Sequence, residues 1–350
     1  MEYISKCIAL VEEIQEISKK EKKLTGFCIG NTTKIDKHGN YLTPIRNTIL
    51  MIVGGVIVYN EKQAKEITKV IDGKVDYLLV DAEKKIPDNM SLSGDPANIE
   101  RAVREEVRKS KLWLYKGNDI TVDAAEAILS EFTKDKIQGI GGTKVTILGA
   151  GNIGSKLALK LVERGAIVTI TRRNKKTLDK IVAGINLIKP IYTKSVVIGK
   201  TENEKAAKNA RILIGATNGY PVITDTIIRS LQDNALIIDA GKGTIKSDAY
   251  KIAEERNIQI YRLDVSAALE GLIYKLFATE NLIDKKLGRR YIHGENLVSG
   301  GVMGKKNDLI VDNIWEPKQI YGIANGEGDF IRDMSKKQIE RLISFKEKLQ

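Results

Sequence analysis

Short apolar runs and stretches of helical periodicity alternate along residues 1–118. Apolar runs predict strands at residues 26–30, 56–59, 75–80 and 112–115. Apolar residues that recur every three or four positions predict helices at residues 1–23, 61–71 and 98–110. Alternation of this kind is typical of a layered α/β domain. We therefore predict an N-terminal α/β domain over residues 1–118, and we expect it to hold the substrate because it contains no phosphate-binding glycine motif.

A second series of strands follows a connecting helix. The pattern predicts this helix at residues 119–134, with Thr121 as its N-cap, and a glycine-rich turn at residues 138–142. Strands are then predicted at residues 145–148, 166–171, 195–198, 212–214, 235–238 and 258–263. A further strand that runs into a glycine turn is predicted at residues 296–304. We assign residues 119–314 to a second α/β domain.

The tail carries an amphipathic pattern at residues 335–349. Ser335 and Gln338 have the spacing of a capping box, and Ile339, Leu342 and Ile343 form an apolar stripe. We predict a C-terminal return helix within residues 315–350 that packs on the first domain.

Three glycines after the first strand of the second domain have a spacing that binds dinucleotides. Gly149, Gly151 and Gly154 follow the pattern G-x-G-x-x-G, and a helix and a second strand come after them. Gly149 allows the tight turn, Gly151 lets a pyrophosphate approach the backbone, and Gly154 lets the helix pack closely on the strand. N–H groups at the helix start, including those of Asn152 and Ile153, favour the anion. We predict a Rossmann fold with a doubly wound parallel sheet that binds a nicotinamide dinucleotide. The alternative is a doubly wound sheet whose glycines serve only the turn.

The end of the next strand indicates which dinucleotide is bound. NAD sites usually place Asp or Glu about 20 residues after the glycines. This chain instead has Thr171, Arg172, Arg173 and Asn174 there, followed by two lysines. Guanidinium groups pair well with phosphate oxygens, so we predict NADP(H), with NAD(H) less favoured. A solvated basic turn is the alternative.

Two later strands also end in glycine-rich turns. Ala216, Thr217 and Asn218 follow one strand, and Asp239 and Gly241 follow the other. Ligands of open parallel sheets bind outside the carboxyl ends of the strands. We therefore predict that both turns face the cofactor, with Ala216 and Thr217 near the nicotinamide ribose. Plain chain reversal is the alternative for each turn.

The composition is that of an ordinary globular protein and excludes several classes. Apolar residues make up 42% of the chain and charged residues 29%. Cys7 and Cys28 are the two cysteines, and His38 and His293 the two histidines, which argues against a disulfide scaffold, a zinc site or a histidine-rich metal centre. The longest apolar run, at residues 49–59, is too short to span a bilayer. We expect a cytoplasmic protein with no membrane partner, and a homo-oligomer as the commonest soluble assembly.

The net charge of +12 is unevenly distributed. Residues 1–120 carry a net charge of +2, residues 121–310 carry +10, and residues 311–350 carry none. The excess therefore lies in the segment with the cofactor motif, where it would attract a polyanionic cofactor. It would also suit a nucleic acid, but aromatic residues make up only 5% of the chain and no stacking platform or recognition helix is evident. Nucleic-acid binding is therefore the less favoured interpretation.

The order of a substrate domain, a bridging helix, a Rossmann domain and a return helix resembles one known superfamily. It includes shikimate dehydrogenases, methylene-tetrahydrofolate and tetrahydromethanopterin dehydrogenases, and glutamyl-tRNA reductases. Residues 171–174 resemble the NADP-binding turn of shikimate dehydrogenases, whereas residues 215–218 depart from their Asn-Ala-Thr-Pro motif. Residues 238–241 and 298–302 resemble the strand ends that face the nicotinamide in methylene-folate dehydrogenases. The resemblance, which covers residues 119–304, implies a redox activity and a cofactor contact at Gly301.

The leading hypothesis is a dehydrogenase or reductase that moves a hydride to or from a small polar substrate, such as a carbonyl, an imine or a pterin, in an interdomain cleft. The cofactor performs the hydride step, and the protein must orient the reacting carbon and handle a proton. Candidates for the proton are polar residues that follow strands, namely Lys34, Asp81, Glu83, Lys84, Asp264 and His293. An alternative is a nucleotide-responsive binding protein without turnover.

Overall fold

The computed structural model describes residues 2–32, 41–87, 95–299 and 304–349. The chain forms two compact units, which divide after Gly271. The first unit contains two sheets, and the second contains one. The predicted domain limits at residues 118 and 314 stay predictions. Within the described residues, no helix is both long and apolar enough to cross a membrane.

The first sheet has five strands in the order β2-β3-β1-β4-β5 and is parallel except for β2. Its strands are β1 (Leu24–Asn31), β2 (Leu42–Asn47), β3 (Met51–Val58), β4 (Tyr77–Asp81) and β5 (Lys111–Tyr115). The helices of this part are α1 (Glu2–Glu21), α2 (Glu61–Ile71), α3 (Ile99–Glu106) and α4 (Gly117–Phe132). The four strands predicted from apolar runs are confirmed. Strand β2 was not predicted because it lies at the sheet edge, is mostly half-exposed and contains Pro44, which edge strands tolerate.

Helix α1 packs its apolar face on this sheet. Cys7, Val11 and Ile14 are fully buried in the core of the first sheet. Strand β3 presents Gly54 to this helix, where a Cβ would come within 3.0 Å of the Ile14 Cδ1 atom. The predicted helix at residues 1–23 is therefore confirmed, and its amphipathic pattern is explained by this packing.

The second sheet has six parallel strands in the order β8-β7-β6-β9-β10-β11. Its strands are β6 (Lys144–Leu148), β7 (Ile167–Thr171), β8 (Val197–Lys200), β9 (Ile212–Gly215), β10 (Leu236–Asp239) and β11 (Gln259–Arg262). The helices are α5 (Asn152–Glu163), α6 (Lys175–Ile188), α7 (Asn203–Ala207), α8 (Asp225–Ser230), α9 (Ala249–Glu255) and α10 (Ser266–Lys285). Numbered within the sheet, this is the 3-2-1-4-5-6 strand order of the Rossmann fold. The predicted fold class is confirmed.

The carboxyl ends of all six strands of this sheet are aligned in the strand register. The strand register pairs Lys200 with Thr171, Thr171 with Leu148, Leu148 with Gly215, Gly215 with Asp239, and Asp239 with Arg262. The segments that follow these residues therefore start from the same edge of the sheet. The reversal of strand order lies between β6 and β9, where ligands of this fold bind.

The start of helix α4 differs from the sequence prediction. Lys116 is its N-cap residue, and the Thr121 hydroxyl lies inside the helix, where it donates to the Gly117 carbonyl oxygen at 3.0 Å. The predicted Thr121 cap is therefore wrong. The Glu83 carboxylate performs this role instead, since its Oε2 accepts a hydrogen bond from the Asn118 N–H at 2.8 Å.

The second unit contains a four-stranded sheet and the last helix. The sheet order is β12-β13-β14-β15, with strands β12 (Gly288–Ile292), β13 (Glu295–Ser299), β14 (Leu309–Val311) and β15 (Ile320–Ile323), and the helix is α11 (Lys336–Glu347). The predicted capping box of Ser335 and Gln338 is confirmed.

The buried face of helix α11 is only partly the one predicted, since Leu342 of the predicted stripe packs against the core of the second unit. Ile339 and Ile343 are 45% and 54% exposed, whereas Phe345 is buried. The Phe345 side chain packs in the core of the second unit together with Leu297 and Leu309. The packing that the structure shows for this helix is thus with its own unit.

Candidate functional site

Two of the three glycines in the turn after β6 have no room for a side chain, whereas the third has space beside it. A Cβ on Gly149, whose φ is +113°, would lie 2.4 Å from the Ala216 carbonyl oxygen, and a Cβ on Gly154 would lie 2.0 Å from the Gly149 oxygen. A Cβ on Gly151 would meet no heavy atom of the described residues within 4 Å. Packing therefore explains Gly149 and Gly154. It does not explain Gly151, whose outer side is open to an incoming group.

The first turn of α5 is free to hold an anion. Gly151 is its N-cap residue, and no side chain caps this helix end. The N–H groups of Asn152, Ile153 and Gly154 have no acceptor within the helix, since they belong to its first turn. Exposed N–H groups and the helix dipole favour a phosphate at such a position. The open Gly151 position and the uncapped helix therefore fit a dinucleotide pyrophosphate.

The end of β7 packs against this turn. The buried Thr171 accepts a hydrogen bond from the Ala150 N–H with its carbonyl oxygen at 2.7 Å and one from the Gly149 N–H with Oγ1 at 3.3 Å. Arg172 donates from Nη1 to the Ala150 carbonyl oxygen at 2.8 Å, which holds one guanidinium beside the turn. Arg173 is exposed. Two cations therefore follow β7, next to the glycine turn.

Asn174 has a structural role in the described arrangement. Its Oδ1 accepts a hydrogen bond from the Thr177 N–H at 2.9 Å and so caps helix α6. Its predicted contact with the cofactor stays a prediction.

The turns after β9 and β10 pack on each other and on the glycine turn. A Cβ on Gly241 would lie 3.2 Å from the backbone nitrogens of both Thr217 and Gly219. Asn218 has a φ of 52°, and the Thr217 hydroxyl donates to the Tyr220 carbonyl oxygen at 2.7 Å. The strand register and these contacts place the two turns together at one edge of the sheet, and their predicted contact with the cofactor stays a prediction.

Asp239 shapes the second of these turns. It is 3% exposed, and its carboxylate accepts hydrogen bonds from the Gly243 N–H at 2.7 Å, the Thr244 N–H at 3.2 Å and the Thr244 hydroxyl at 2.7 Å. These donors occupy both carboxylate oxygens. The structure therefore gives Asp239 the role of holding the turn in shape.

A cluster of cations lies at the same edge, and sequence reasoning missed it. Lys242, in the turn after β10, lies within electrostatic reach of Arg262 at the end of β11 and of Arg46 in β2. Desolvation lowers the pKa of Lys242, and the charges of Arg262 and Arg46 lower it further, against the opposing effect of Asp264 and Asp239. Lys242 could have been found from its position between two glycines of a turn already predicted to face the ligand. We refer to Arg46, Lys242 and Arg262 as the cation cluster.

Asp264 lies beside the cation cluster. Its Oδ1 accepts hydrogen bonds from the Ser266 N–H at 2.6 Å and from the Ser266 hydroxyl at 2.5 Å. These hydrogen bonds lower the pKa of Asp264, and the charges of Arg46 and Lys242 add to the effect. Asp264 is therefore a carboxylate at neutral pH and acts as a hydrogen-bond acceptor.

A second charged cluster lies at the carboxyl edge of the first sheet. The Lys85 ammonium contacts the Asp81 carboxylate at 2.5 Å and the Glu83 carboxylate at 3.1 Å. Burial raises the pKa of Asp81, although the charge of Lys85 acts against this. Burial acts in the same direction on Glu83, but the hydrogen bond from the Asn118 N–H and the charges of Lys85 and Lys156 hold its pKa below the usual range.

The second cluster connects the parts of the first unit. Lys156, on helix α5, contacts Asp119 on α4 at 2.5 Å and Glu83 at 3.6 Å. The Asp81 Oδ1 accepts a hydrogen bond from the Gly117 N–H at 3.3 Å, at the start of α4. These contacts join the loop after β4, the bridging helix and the first helix of the Rossmann sheet, so the cluster has a clear structural role.

The remaining predicted catalytic residues are placed as follows. Lys34, like the predicted cofactor residue Gly301, lies outside the described residues. Lys84 donates a hydrogen bond to Asn98 Oδ1 at the start of α3, and its neighbour Lys85 is the lysine that pairs with Asp81. His293 lies in the exposed turn between β12 and β13. Catalytic roles for Lys34, Asp81, Lys84 and Asp264 stay predictions.

Comparison with known proteins gives similarities that centre on the Rossmann sheet. Residues 144–243 match a family model described as NADP oxidoreductase, coenzyme F420-dependent. Two glycerol-3-phosphate dehydrogenases [NAD(P)+] from Clostridium botulinum strains are each 30% identical over 148 residues. The match covers 39% of this chain and 44% of each relative, so the chain spans less than half the length of these relatives.

Solved structures that resemble the chain include two with low sequence identity. L-tryptophan dehydrogenase from Nostoc punctiforme is 13% identical, with a TM-score of 0.44 over 74% of this chain and 75% of that one. The dipicolinate synthase A chain from Bacillus subtilis is 16% identical, with a TM-score of 0.35 over 75% of this chain and 98% of that one. The strand order and the glycine-rich turn identify a Rossmann domain, and the family model matches residues 144–243 within it.

Proposed function

We propose that the protein is an NADP(H)-dependent dehydrogenase or reductase that acts on a small polar substrate. The observation that carries this proposal is the glycine turn, in which Gly149 and Gly154 are closed by packing while Gly151 stands open at an uncapped helix. This is the arrangement that a dinucleotide pyrophosphate requires. The similarity to NAD(P)-dependent dehydrogenases supports the same activity. We include in this proposal the redox activity that the resemblance to shikimate and methylene-folate dehydrogenases implies.

The preference for NADP(H) over NAD(H) is supported by the end of β7. Residues 171–176 contain two arginines and two lysines and no acidic residue. A hydrogen bond holds Arg172 beside the turn, and Arg173 is exposed, so both guanidinium groups can approach a 2′-phosphate from the sheet edge. Arginine forks pair with phosphate oxygens through two hydrogen bonds, whereas an NAD site needs an acceptor for ribose hydroxyls.

The substrate would lie at the carboxyl edge of β10 and β11, beside Arg46 of the first sheet. The nicotinamide would accept or supply the hydride when bound. The chain's own residues bind and orient the substrate there. Asp264 is ionised at neutral pH and accepts hydrogen bonds from Ser266, so we assign it a positioning role rather than that of a proton donor.

The test is turnover of the reduced cofactor with a panel of candidate substrates. The purified protein would be mixed with NADPH or NADH and with oxo acids, imines or pterins, while the absorbance of the reduced nicotinamide is followed. We expect oxidation with at least one substrate, and faster oxidation of NADPH than of NADH at equal concentration. Tight NADPH binding with no oxidation by any substrate would instead favour a nucleotide-responsive binding protein, and an NADH preference would contradict the assignment of Arg172 and Arg173.

A further inference from the structure

The cation cluster lies on the side of the Rossmann sheet that follows the reversal of strand order. The glycine turn follows β6, and β9, β10 and β11 lie successively farther from it. Neighbouring strands are about 4.8 Å apart, so Arg262 at the end of β11 lies about 14 Å across the sheet from the end of β6. The dinucleotide of a Rossmann fold spans the crevice between its two halves. The cluster is therefore removed from the pyrophosphate position at α5 and from the arginines that follow β7.

The three cations of the cluster form no ion pair with any side chain that the structure describes. Among the described side chains, neither Lys242 nor Arg262 forms an ion pair or a hydrogen bond. Each residue comes from a different element: Arg46 from β2, Lys242 from the turn after β10, and Arg262 from the end of β11. Lys242 and Arg262 are exposed, and like charges that lie near one another repel unless a negative charge joins them.

The two nearby carboxylates do not neutralise the three positive charges of the cluster. Asp264 accepts two hydrogen bonds from Ser266, and Asp239 accepts three from the turn that it shapes. Counting these five side chains, three cations face two carboxylates, which leaves a local charge of +1. Both oxygens of Asp239 and the Oδ1 of Asp264 accept these hydrogen bonds, whereas the donor atoms of Lys242 and Arg262 have no acceptor among the described side chains.

Hydrogen bonds from Nε and Nη1 hold the Arg46 guanidinium in place. Its Nε donates to the Ser266 Oγ at 3.0 Å, and the Ser266 hydroxyl donates in turn to Asp264 Oδ1 at 2.5 Å. The Nη1 atom lies 3.4 Å from the Pro44 carbonyl oxygen. The contacts therefore fix the side chain, and its Nη2 group has no acceptor among the described residues. Pre-organisation of this kind lowers the entropic cost of binding a ligand.

We propose that Arg46, Lys242 and Arg262 form a subsite for an oxyanion of the substrate, either a carboxylate or a phosphate. The subsite would hold the anionic end of the substrate beside the nicotinamide half of the crevice. Guanidinium forks suit both oxyanions, and the ammonium of Lys242 adds a point charge between them. The location beside a nicotinamide rests on the proposed function, whereas the anion site itself rests on the cluster.

The test is calorimetric titration of two anionic probes, 2-oxoglutarate and glycerol 3-phosphate, into the protein with and without saturating NADPH. The subsite variants are Lys242→Met and Arg262→Ala. The matched controls are Lys251→Met and Arg229→Ala, which remove exposed cations from α9 and α8. We expect at least one probe to bind the wild type, and to bind each subsite variant about ten- to a hundredfold more weakly, because each variant loses a charged hydrogen bond. The probe that binds shows whether the oxyanion is a carboxylate or a phosphate.

Several outcomes would overturn the subsite. They are failure of both probes to bind the wild type, unchanged binding in Lys242→Met and Arg262→Ala, and equal weakening in the control variants. Circular dichroism of each variant would establish that it is folded before the titration is interpreted.

Affinity for NADPH separates this proposal from the proposed function. We expect NADPH to bind Lys242→Met and Arg262→Ala as tightly as the wild type. If these variants lost NADPH as well as the probes, the cluster would contact the cofactor and the substrate subsite would be wrong. If the wild type bound a probe but no nicotinamide cofactor, the oxidoreductase proposal would fail while the anion site stood. If the wild type bound NADPH but neither probe, the anion site would fail while the proposed cofactor site stood.

Discussion

The Arg46 Nε donates a hydrogen bond to the Ser266 Oγ at 3.0 Å, across 220 residues of sequence. Arg46 belongs to the edge strand of the first sheet, and Ser266 begins the helix that follows the last strand of the Rossmann sheet. A second contact lies nearby, where the Ile49 N–H donates to Glu270 Oε1 at 2.9 Å. The two sheets of the first unit are therefore joined at the edge where the cation cluster lies.

Removal of the Ser266 hydroxyl tests whether this hydrogen bond prepares Arg46 for an anion. In Ser266→Ala the guanidinium remains but loses the partner that fixes it. We expect a weaker affinity for the anionic probe than in the wild type, but a smaller loss than in Arg46→Ala, because the charge is retained. Calorimetry would measure both variants, with the exposed Ser247→Ala as the control. Equal affinity in Ser266→Ala and the wild type would argue against a positioning role.

The open position at Gly151 gives the sharpest test of the cofactor turn. A methyl group there meets no atom of the residues that the structure describes, so Gly151→Ala should fold and lose at most about 1 kcal/mol, the order of an N-cap change. The same methyl group would occupy the space of the pyrophosphate, so NADPH should bind at least about tenfold more weakly. NADPH fluorescence titration and urea denaturation would measure the two effects.

Two other glycines provide controls for Gly151→Ala. Gly184, in helix α6, also has no atom near its Cβ position, so Gly184→Ala should leave NADPH affinity unchanged and stabilise the fold by up to about 1 kcal/mol. Gly154→Ala should destabilise the fold, because its Cβ would lie 2.0 Å from the Gly149 oxygen. If Gly151→Ala bound NADPH as tightly as Gly184→Ala, the assigned pyrophosphate position would be wrong.

The arginines after β7 should decide between the two nicotinamide cofactors. Arg172→Ala and Arg173→Ala each remove a guanidinium that could pair with the 2′-phosphate. We expect each to weaken NADPH binding by about tenfold or more and to change NADH binding little, since NADH lacks that phosphate. Affinities for both cofactors would be measured at one salt concentration, with Arg229→Ala as the control. Equal losses for NADPH and NADH would mean that the arginines contact another part of the cofactor.

The buried pair of Asp81 and Lys85 predicts a pH-dependent stability. In Lys85→Met the carboxylate of Asp81, 2% exposed, loses its cation, so its pKa, which burial already raises, should rise further. A raised carboxyl pKa means that the folded state binds the proton more tightly than the unfolded state. The loss of stability should therefore be small below the unfolded-state pKa and grow as the pH rises through the folded-state pKa. We expect about 3–5 kcal/mol at neutral pH.

Urea denaturation at acid and neutral pH would measure this effect. Adding Asp81→Asn to Lys85→Met removes the unpaired charge, so the double variant should regain much of the stability at neutral pH. A loss that does not depend on pH, or a double variant as unstable as Lys85→Met, would show that the lysine acts through packing and not through its charge.

The Rossmann sheet could be predicted from sequence because its signals are local. A glycine pattern constrains the backbone at Gly149, Gly151 and Gly154 directly, and buried parallel strands are short apolar runs. The capping box of Ser335 is local in the same sense, since both of its partners lie within one helical turn. The buried face of α11 was predicted only in part, at Leu342, because Phe345 packs on strands whose short, mixed sequences gave no clear pattern.

The cation cluster could not be predicted in full because it is assembled by long-range contacts. Arg46 lies in an edge strand without regular alternation, and nothing local connects it to Ser266 or Lys242. The choice between Lys84 and Lys85 also depends on the path of the backbone after β4, which places Lys85 and not Lys84 on Asp81. Residue types indicated Asp81 and Glu83 after β4, but only the fold identified Lys85 as the lysine that pairs with them.

The measurement that tests the central claim most directly is calorimetric titration of the wild-type protein with NADPH and, separately, with NADH. The open Gly151 turn and the arginines after β7 predict saturable binding of NADPH at one site per chain, tighter than that of NADH. Absence of binding heat with both cofactors, supported by unchanged thermal stability in their presence, would contradict the assignment of a nicotinamide cofactor to this turn.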